Sequence, residues 1–219
     1  MSRARGRQHA RQPRRRPLVL VFGENPHDSQ SIKILVEHLN PELARDVDVE
    51  VRREPPSLTR SAGPVAARSW LEEIGDLVRL EGRRRDIRGV LVHQDADGTD
   101  AGGRVSRGLQ ARLGDAVSMA PSHAVVPVQE LEGWWFLFPE AVRAVKPGAW
   151  RDLVLRSGDT ATISSPKEEL QRATRKASSK HRYKEADSVT IAMEIAARGL
   201  SPAGRNHSWS AFAALCGRL

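Results

Sequence analysis

Residues 87–100, IRGVLVHQDADGTD, constrain the fold more than any other stretch of the chain. Gly89-Val90-Leu91-Val92 is a short apolar run rich in β-branched residues, the mark of a strand buried on both faces of a parallel sheet. It gives way to Asp95-Ala96-Asp97-Gly98-Thr99-Asp100, three carboxylates within six residues. In open α/β sheets, ligands gather in the crevice outside the carboxyl ends of the strands. Two aspartates placed there can share a hard divalent cation, because oxygen ligands suit such an ion. The same residues also read as a polar turn whose aspartates cap the next helix, Asp-Gly being a common turn pair.

The flanking segments favour a sheet. Leu18-Val19-Leu20-Val21-Phe22 is a second continuous apolar run, a buried first strand stopped by Gly23-Glu24-Asn25-Pro26. Asp28 or Ser29 can cap the helix that follows, and Ile32, Leu35, Val36 and Leu39 give it one apolar face before Asn40-Pro41 ends it. Val47, Val49 and Val51 alternate with Asp48 and Glu50, as in an edge strand with one buried face. Pro55 and Pro56 begin a loop, and a second helix is predicted over Ala66 to Leu80 with Trp70, Ile74, Leu77 and Val78 inward. A helix near Val105 to Leu113 and a strand over Ala124 to Val128 follow, Pro127 placing that strand near an edge. Strands alternating with helices make this an α/β chain with a mainly parallel sheet, Rossmann-like and flanked by helices.

Beyond the fourth strand lies Glu130-Leu131-Glu132-Gly133-Trp134-Trp135-Phe136-Leu137-Phe138. A core helix accounts for the aromatics. Glu132 reads either as a surface or capping residue or as a ligand just past a strand's carboxyl end. Ser164-Ser165-Pro166-Lys167-Glu168 is a helix start with proline in the first turn. From there the chain is basic: Lys167, Arg172, Arg175, Lys176, Lys180, Arg182 and Lys184 stand against Glu168 and Glu169. They read as a solvated helix face or as a surface facing phosphates. Further helices are predicted from about Asp187 to Arg198 and over Trp209 to Leu215.

Charge is unevenly spread. The formal net charge is +8, and residues 1–17 carry seven arginines and no acid. Residues 18–140 sum to −6 and residues 141–219 to +7, an acidic body between basic ends. The Arg-rich tail has almost nothing to bury and is expected to be disordered, either attracting phosphates or serving as a solvated leader. Cys216 is the only cysteine, which excludes an intramolecular disulfide and any cysteine-rich zinc site. The seven histidines include no HxH pair and no HExxH, so any metal is expected on oxygen ligands. No apolar run approaches the roughly 18 residues of a membrane span. The N-terminus lacks the apolar core of a secretory signal, so a cytoplasmic location without membrane association is expected.

A strand ending in Gly23-Glu24, a later strand ending in Asp95-Ala96-Asp97, and the helix between them resemble a TOPRIM domain, the module of topoisomerases, bacterial primases, recombination proteins and OLD-type nucleases. Asn25-Pro26 stands where the family often has a second glycine, which alters the turn. Glu132-Gly133-Trp134, Ser165-Pro166-Lys167-Glu168 and Tyr183-Lys184 are similar to small stand-alone TOPRIM-like proteins encoded beside AAA-type ATPases in bacterial defence loci. The TOPRIM resemblance covers roughly residues 18–135 and the second most of the rest.

These resemblances imply a TOPRIM-like α/β domain over residues 18–150 and a basic helical extension over 151–219 packed on it, behind the tail of residues 1–17. They imply a nuclease using Mg²⁺ or Mn²⁺, with Glu24, Asp95 and Asp97 on a first ion. Asp28, Asp100 and Glu132 are candidates for a second ion, and Lys184 for the cation at the phosphate. The partners implied are nucleic acid, DNA or RNA, bound by the basic residues 167–182, and an AAA-type ATPase; an oligomer is compatible with this reading.

Two other functions fit parts of the pattern. Asp95-Ala96-Asp97-Gly98-Thr99 also looks like the DxDGT motif of haloacid-dehalogenase-type phosphatases, which normally closes the first strand and needs a downstream acidic pair missing here. A non-catalytic subunit binding nucleic acid through its basic ends is the other. A calcium EF-hand loop is excluded, since Gly98 is at the fourth position instead of the sixth and Ser106 occupies the place of the bidentate glutamate.

Overall fold

In a computed structural model, which describes residues 15–52, 64–178 and 180–219, the chain is an α/β protein with a four-stranded, all-parallel sheet flanked by helices, a Rossmann-like arrangement. Strands β1 (Leu18–Phe22), β2 (Asp48–Val51), β3 (Ile87–His93) and β4 (Ser122–Val125) lie in the order β2-β1-β3-β4. Leu20 pairs with Glu50 on one side and Val90 on the other, and Val92 of β3 pairs with Ala124 of β4. From β1 the chain steps outward to β2 and then returns across β1 to β3. That reversal makes the crevice at the carboxyl ends of β1 and β3 the topological switch point.

Every residue of β1 is buried, because the two-residue period of a strand sends its side chains into two cores. Val19 and Val21 join Leu91 on the face covered by α1 (Pro26–Leu39). Leu18, Leu20 and Phe22 join Val90 and Val92 on the face covered by α3 (Pro64–Gly82) and α4 (Arg104–Ala116). A short α2 (Pro41–Asp46) leads into β2. On α3, Trp70, Ile74 and Val78 face inward as expected, but Leu77 is 37% exposed and Leu71 is buried in its stead. The contact face is turned toward the Trp70–Leu71 side, leaving Leu77 at its margin.

Both edge assignments hold. The exposed residues of β2 carry a charged lattice on the sheet face shared with Leu18 and Leu20, in which Arg85 bonds Asp48 and Glu50, each at 2.5 Å, and Arg16 reaches Asp48 at 3.1 Å. The backbone of β4 is occupied by Gln110, which donates to the Ser122 carbonyl at 2.8 Å and accepts from the Ala124 amide at 2.9 Å. Charge and side-chain caps of this kind blunt an edge against pairing with other chains. The strand itself stops at Val125, before Pro127, earlier than the sequence pattern indicates.

The aromatic run does not make one long helix. It forms α5 (Glu132–Trp135), and Pro139 opens a separate α6 (Pro139–Val145), followed by α7 (Pro147–Trp150). Residues Leu131 to Phe138 are nevertheless all buried. The helices α8 (Pro166–Ala177), α9 (Asp187–Arg198) and α10 (His207–Cys216) complete that face, with Ile191, Ile195, Trp209 and Phe212 sharing a core with Val19 and Ile32. Buried tryptophans fasten them: Trp134 donates to Ser208 Oγ at 2.9 Å, Trp135 to Ser188 Oγ at 3.0 Å and Trp150 to the His181 carbonyl at 2.6 Å. Residues after 150 thus pack on the sheet domain through its main core. The expected tail falls mostly outside the described residues, and so does the Pro55-Pro56 loop; Arg16, within the tail's span, is tied to Asp48. Among the described residues no helix is long and apolar enough to cross a membrane.

Candidate metal centre

Three chain segments reach the switch-point crevice. The first is the turn after β1. Its Gly23 lies close to the start of α1: a Cβ there would stand 2.6 Å from Ser29 Oγ and 3.2 Å from the Ser29 backbone nitrogen. Glu24 follows, and Asn25 caps α1 by accepting from the amides of His27 (2.8 Å) and Asp28 (3.0 Å). Asp28 in that first turn is buried, and Asn25 Nδ2 donates to its Oδ2 at 2.5 Å. The second segment is the end of β3. His93 is its last residue, and Asp95 lies two positions on, so an extended backbone points both to the α1 side of the sheet. The third is the Glu130–Glu132 turn before α5, whose Leu131 amide donates to Asp95 Oδ1 at 2.9 Å and fixes that carboxylate.

Among the described residues, Asp28, His93 and Asp95 form a set in which one ligand atom from each lies within 4.8 Å of the others. His93 Nε2 is 3.3 Å from Asp95 Oδ1, and Nδ1 is 3.9 Å from Asp28 Oδ2. The ring is completely buried, yet neither nitrogen has an aligned hydrogen-bond partner, the 3.3 Å contact being of ion-pair type. Buried ring nitrogens facing two carboxylates suit either an imidazolium paired with them or a donor beside a bound cation. Carboxylate oxygens and imidazole nitrogen are both metal donors, so the residues present fit a divalent ion.

Electrostatics extends the set. Burial, then the nearby Asp95 charge, raises Glu24 to about 7, against a lowering by His93 and by a hydrogen bond from the Asp95 backbone. Burial raises Asp28 to about 7, with Asp95, Glu24 and Glu185 adding to it and His93 opposing. Glu132, raised by burial and by Asp28 and Asp95, stands at about 8. Burial alone would lower His93, but Asp95, Asp28 and Glu24 outweigh it and lift the imidazole to about 9. Without a cation the crowded acids therefore hold their protons toward neutral pH beside a charged His93; a bound cation would favour their ionised forms instead.

Of the sequence candidates, Glu24, Asp28, Asp95 and Glu132 come together here. Asp97 is exposed on the following turn, in the left-handed region at φ 50°, with its charge still felt by Glu24. Asp100 is elsewhere: its carboxylate accepts from the Val105 amide at 2.6 Å and the Ser106 hydroxyl at 2.8 Å, capping α4 in place of a second ion. Lys184 is exposed, and its backbone amide bonds Asp187. The lysine whose charge acts on Glu132 and Glu130 is Lys167, ion-paired with Glu185. Arg172, Arg175, Lys176, Lys180 and Arg182 are all exposed on α8 and the loop beyond it.

His93 escapes the sequence reading, and Tyr183 enters it only as part of the Tyr183-Lys184 motif, with no role at the site. His93 adds a nitrogen donor to a set expected to offer oxygen alone; its signal in the sequence is the alternation His93-x-Asp95 at a strand's carboxyl end. Tyr183 is fully buried, and its hydroxyl donates to Glu132 Oε1 at 3.1 Å and lies 2.5 Å from Ser188 Oγ. A polar depression of about 420 Å³ lined by Asp97, Gln129, Glu130, Ser164, Ser165 and Glu168 opens beside the crevice. Compared with known proteins, the chain matches no family model, no curated protein and no solved structure.

Proposed function

We propose that this protein is a metal-dependent, TOPRIM-type nuclease that hydrolyses phosphodiester bonds in DNA or RNA, the effector of a bacterial defence system with an AAA-type ATPase partner. One observation carries the reading. Glu24 after β1 and Asp95 after β3, two of the three acids expected on the first ion, converge at the switch point with Asp28 of α1, an acid expected on a second ion, while Asp97 is exposed on the turn beyond. Asp28 and Asp95 would hold the ion, Mg²⁺ or Mn²⁺, with His93, Glu24 and Glu132 beside it. Bound there, a divalent ion would polarise a phosphoryl oxygen and lower the pKa of an attacking water.

The chain's own residues have separable parts to play. Leu131 holds Asp95 in place through its amide, and Tyr183 holds Glu132. Lys167 brings positive charge to the acidic rim, suited to charge that builds on a phosphoryl group in the transition state. The exposed basic residues of α8 and its loop would attract the sugar–phosphate backbone.

Single- and double-stranded DNA and RNA should each be incubated with the protein and Mg²⁺ or Mn²⁺, with the neighbouring ATPase included where its gene is present. Metal-dependent cleavage by wild type, lost with EDTA and in Asp95→Asn, is expected. Full activity in Asp95→Asn, or cleavage that EDTA leaves intact, refutes the metal mechanism.

A further inference from the structure

His93 is the residue of the crevice that a purely oxygen-bound ion leaves unexplained. Its side chain has no solvent exposure, and neither ring nitrogen is hydrogen-bonded within the described residues. A buried imidazole ordinarily anchors one nitrogen on a carbonyl or hydroxyl and uses the other. Here both nitrogens are directed at carboxylates, Nε2 toward Asp95 and Nδ1 toward Asp28. When one nitrogen takes a metal, the carboxylate facing the other orients the ring with one oxygen and has its second oxygen to offer the ion. One donor atom from each of Asp28, His93 and Asp95 lies within 4.8 Å of the other two, so the three side chains can converge on a common ion with small adjustment.

Mg²⁺ gains little from such a nitrogen, since it prefers oxygen and keeps several of its waters. First-row transition ions accept imidazole readily, and Mn²⁺ accepts carboxylate and imidazole alike. The acids flanking the set, Glu24 and Glu132, give an oxygen-rich surround unlike a tetrahedral zinc site built on nitrogen and sulfur.

Resting on the metal-site reading above, we propose that His93 is itself a metal ligand and that Asp28, His93 and Asp95 form a mixed imidazole–carboxylate centre that takes Mn²⁺ in preference to Mg²⁺. The preference is a property of the donor set and holds whatever nucleic acid is cleaved. Zn²⁺ binds more tightly than Mn²⁺ at nearly any nitrogen and oxygen site, so the informative comparison is Mn²⁺ against Mg²⁺.

The experiment uses the full, metal-stripped chain, titrated with Mn²⁺ while the free aqua ion is followed by electron paramagnetic resonance, with Mg²⁺ as competitor. Wild type should prefer Mn²⁺ by about ten-fold or more, and its electron-spin-echo spectrum should carry nitrogen modulation from a directly bound imidazole. In His93→Gln the modulation should vanish and Mn²⁺ affinity fall about ten-fold or more, with Mg²⁺ affinity little changed. Bound Mn²⁺ without nitrogen modulation in wild type, or an unchanged Mn²⁺/Mg²⁺ ratio in His93→Gln, overturns the ligand role of His93 while leaving the metal site standing. Failure of wild type to bind either ion overturns the site itself. The spin-echo measurement needs no variant, so it decides the matter even if His93→Gln does not fold.

Discussion

The Tyr183 hydroxyl donates to Glu132 Oε1 at 3.1 Å, joining the loop before α9 to the first residue of α5 inside the core. The bond is the last of a series. Trp135 Nε1 donates to Ser188 Oγ at 3.0 Å, and Ser188 Oγ lies 2.5 Å from the Tyr183 oxygen, so each hydroxyl can pass its hydrogen toward the carboxylate. The C-terminal segment is thereby coupled to the acidic crevice by groups that have no water to turn to.

Tyr183→Phe leaves the ring in place and removes only that relay. It leaves a buried Glu132 oxygen and the Ser188 hydroxyl short of a partner, a loss of about 1–3 kcal/mol. Urea denaturation of the metal-free variant should show that drop. Metal affinity should fall as well, because Glu132 is no longer held. A variant as stable as wild type would mean that water replaces the hydroxyl.

Lys167 and Lys184 should separate in function. Lys167 is half-buried, ion-paired with Glu185 and close enough to Glu132 to act on its charge, whereas the Lys184 side chain is exposed. Lys167→Met is expected to cut metal-dependent cleavage by about a hundred-fold, the scale of losing one charge-stabilising donor. Lys184→Ala should stay within a few-fold of wild type, roughly the effect of one solvated charge. Steady-state cleavage rates at saturating metal decide it, and the reverse order of effects would return the phosphate-facing role to Lys184.

How much of this was legible in the sequence follows from the range of the forces involved. β1 and β3 announce themselves because burial on both faces demands an unbroken apolar run, and Glu24 and Asp95 are placed by following directly on those runs. The cap on α1 is missed by a few residues: Asp28 or Ser29 is expected, but Asn25 accepts from the His27 and Asp28 amides, because the helix already begins at Pro26 and Asp28 lies inside its first turn. Tyr183 and Glu132 meet across the fold through tertiary packing, which no local pattern encodes. Asp100 shows the converse, since an aspartate in a cluster is drawn by the nearest unsatisfied amides, here those of Val105 and Ser106, before any ion. Leu77 was misplaced because an apolar stripe wider than the contact leaves its margin to be settled by the neighbouring element.

The basic residues of α8 and its loop carry a prediction about salt. Arg175, Lys176, Lys180 and Arg182 are exposed, and Arg172 has only a long 3.8 Å contact with Glu169 to set against its own exposure. If they face phosphates, the logarithm of nucleic-acid affinity should fall linearly with the logarithm of salt concentration, and each charge removed should lower that slope by about one. Arg175→Ala with Lys176→Ala should weaken binding to all sequences alike. Fluorescence anisotropy on a catalytically inert Asp95→Asn background measures this, and an unchanged slope would assign these residues to a solvated face.

Stability should fall as pH rises when metal is absent. Glu24 and Asp28 at about 7 and Glu132 at about 8 lie above their ordinary values of 4.5, 3.8 and 4.5, raised first by burial and then by one another. A raised acid keeps its proton in the folded state over a range where the unfolded chain has lost it. Folding then takes up protons between about pH 4 and 8, and stability declines across that window. His93 adds in the same direction: its proton persists to about 9 in the fold and to 6.5 when unfolded, so its contribution is complete below 6.5 and gone above 9. A divalent ion reverses the dependence, because it binds the deprotonated carboxylates and displaces those protons. Thermal melting at pH 5, 7 and 9 with EDTA should give a steadily falling midpoint, and Mn²⁺ should restore it most at pH 9. Asp28→Asn removes one of the crowded charges while keeping an oxygen for Asn25, so it should stabilise the metal-free protein at pH 9 by about 1 kcal/mol. The same change should erase most of the Mn²⁺-induced gain. A metal-free midpoint that rises from pH 5 to 9 would show that the crevice carboxylates are stabilised as anions by the fold itself, and that it does not need a cation.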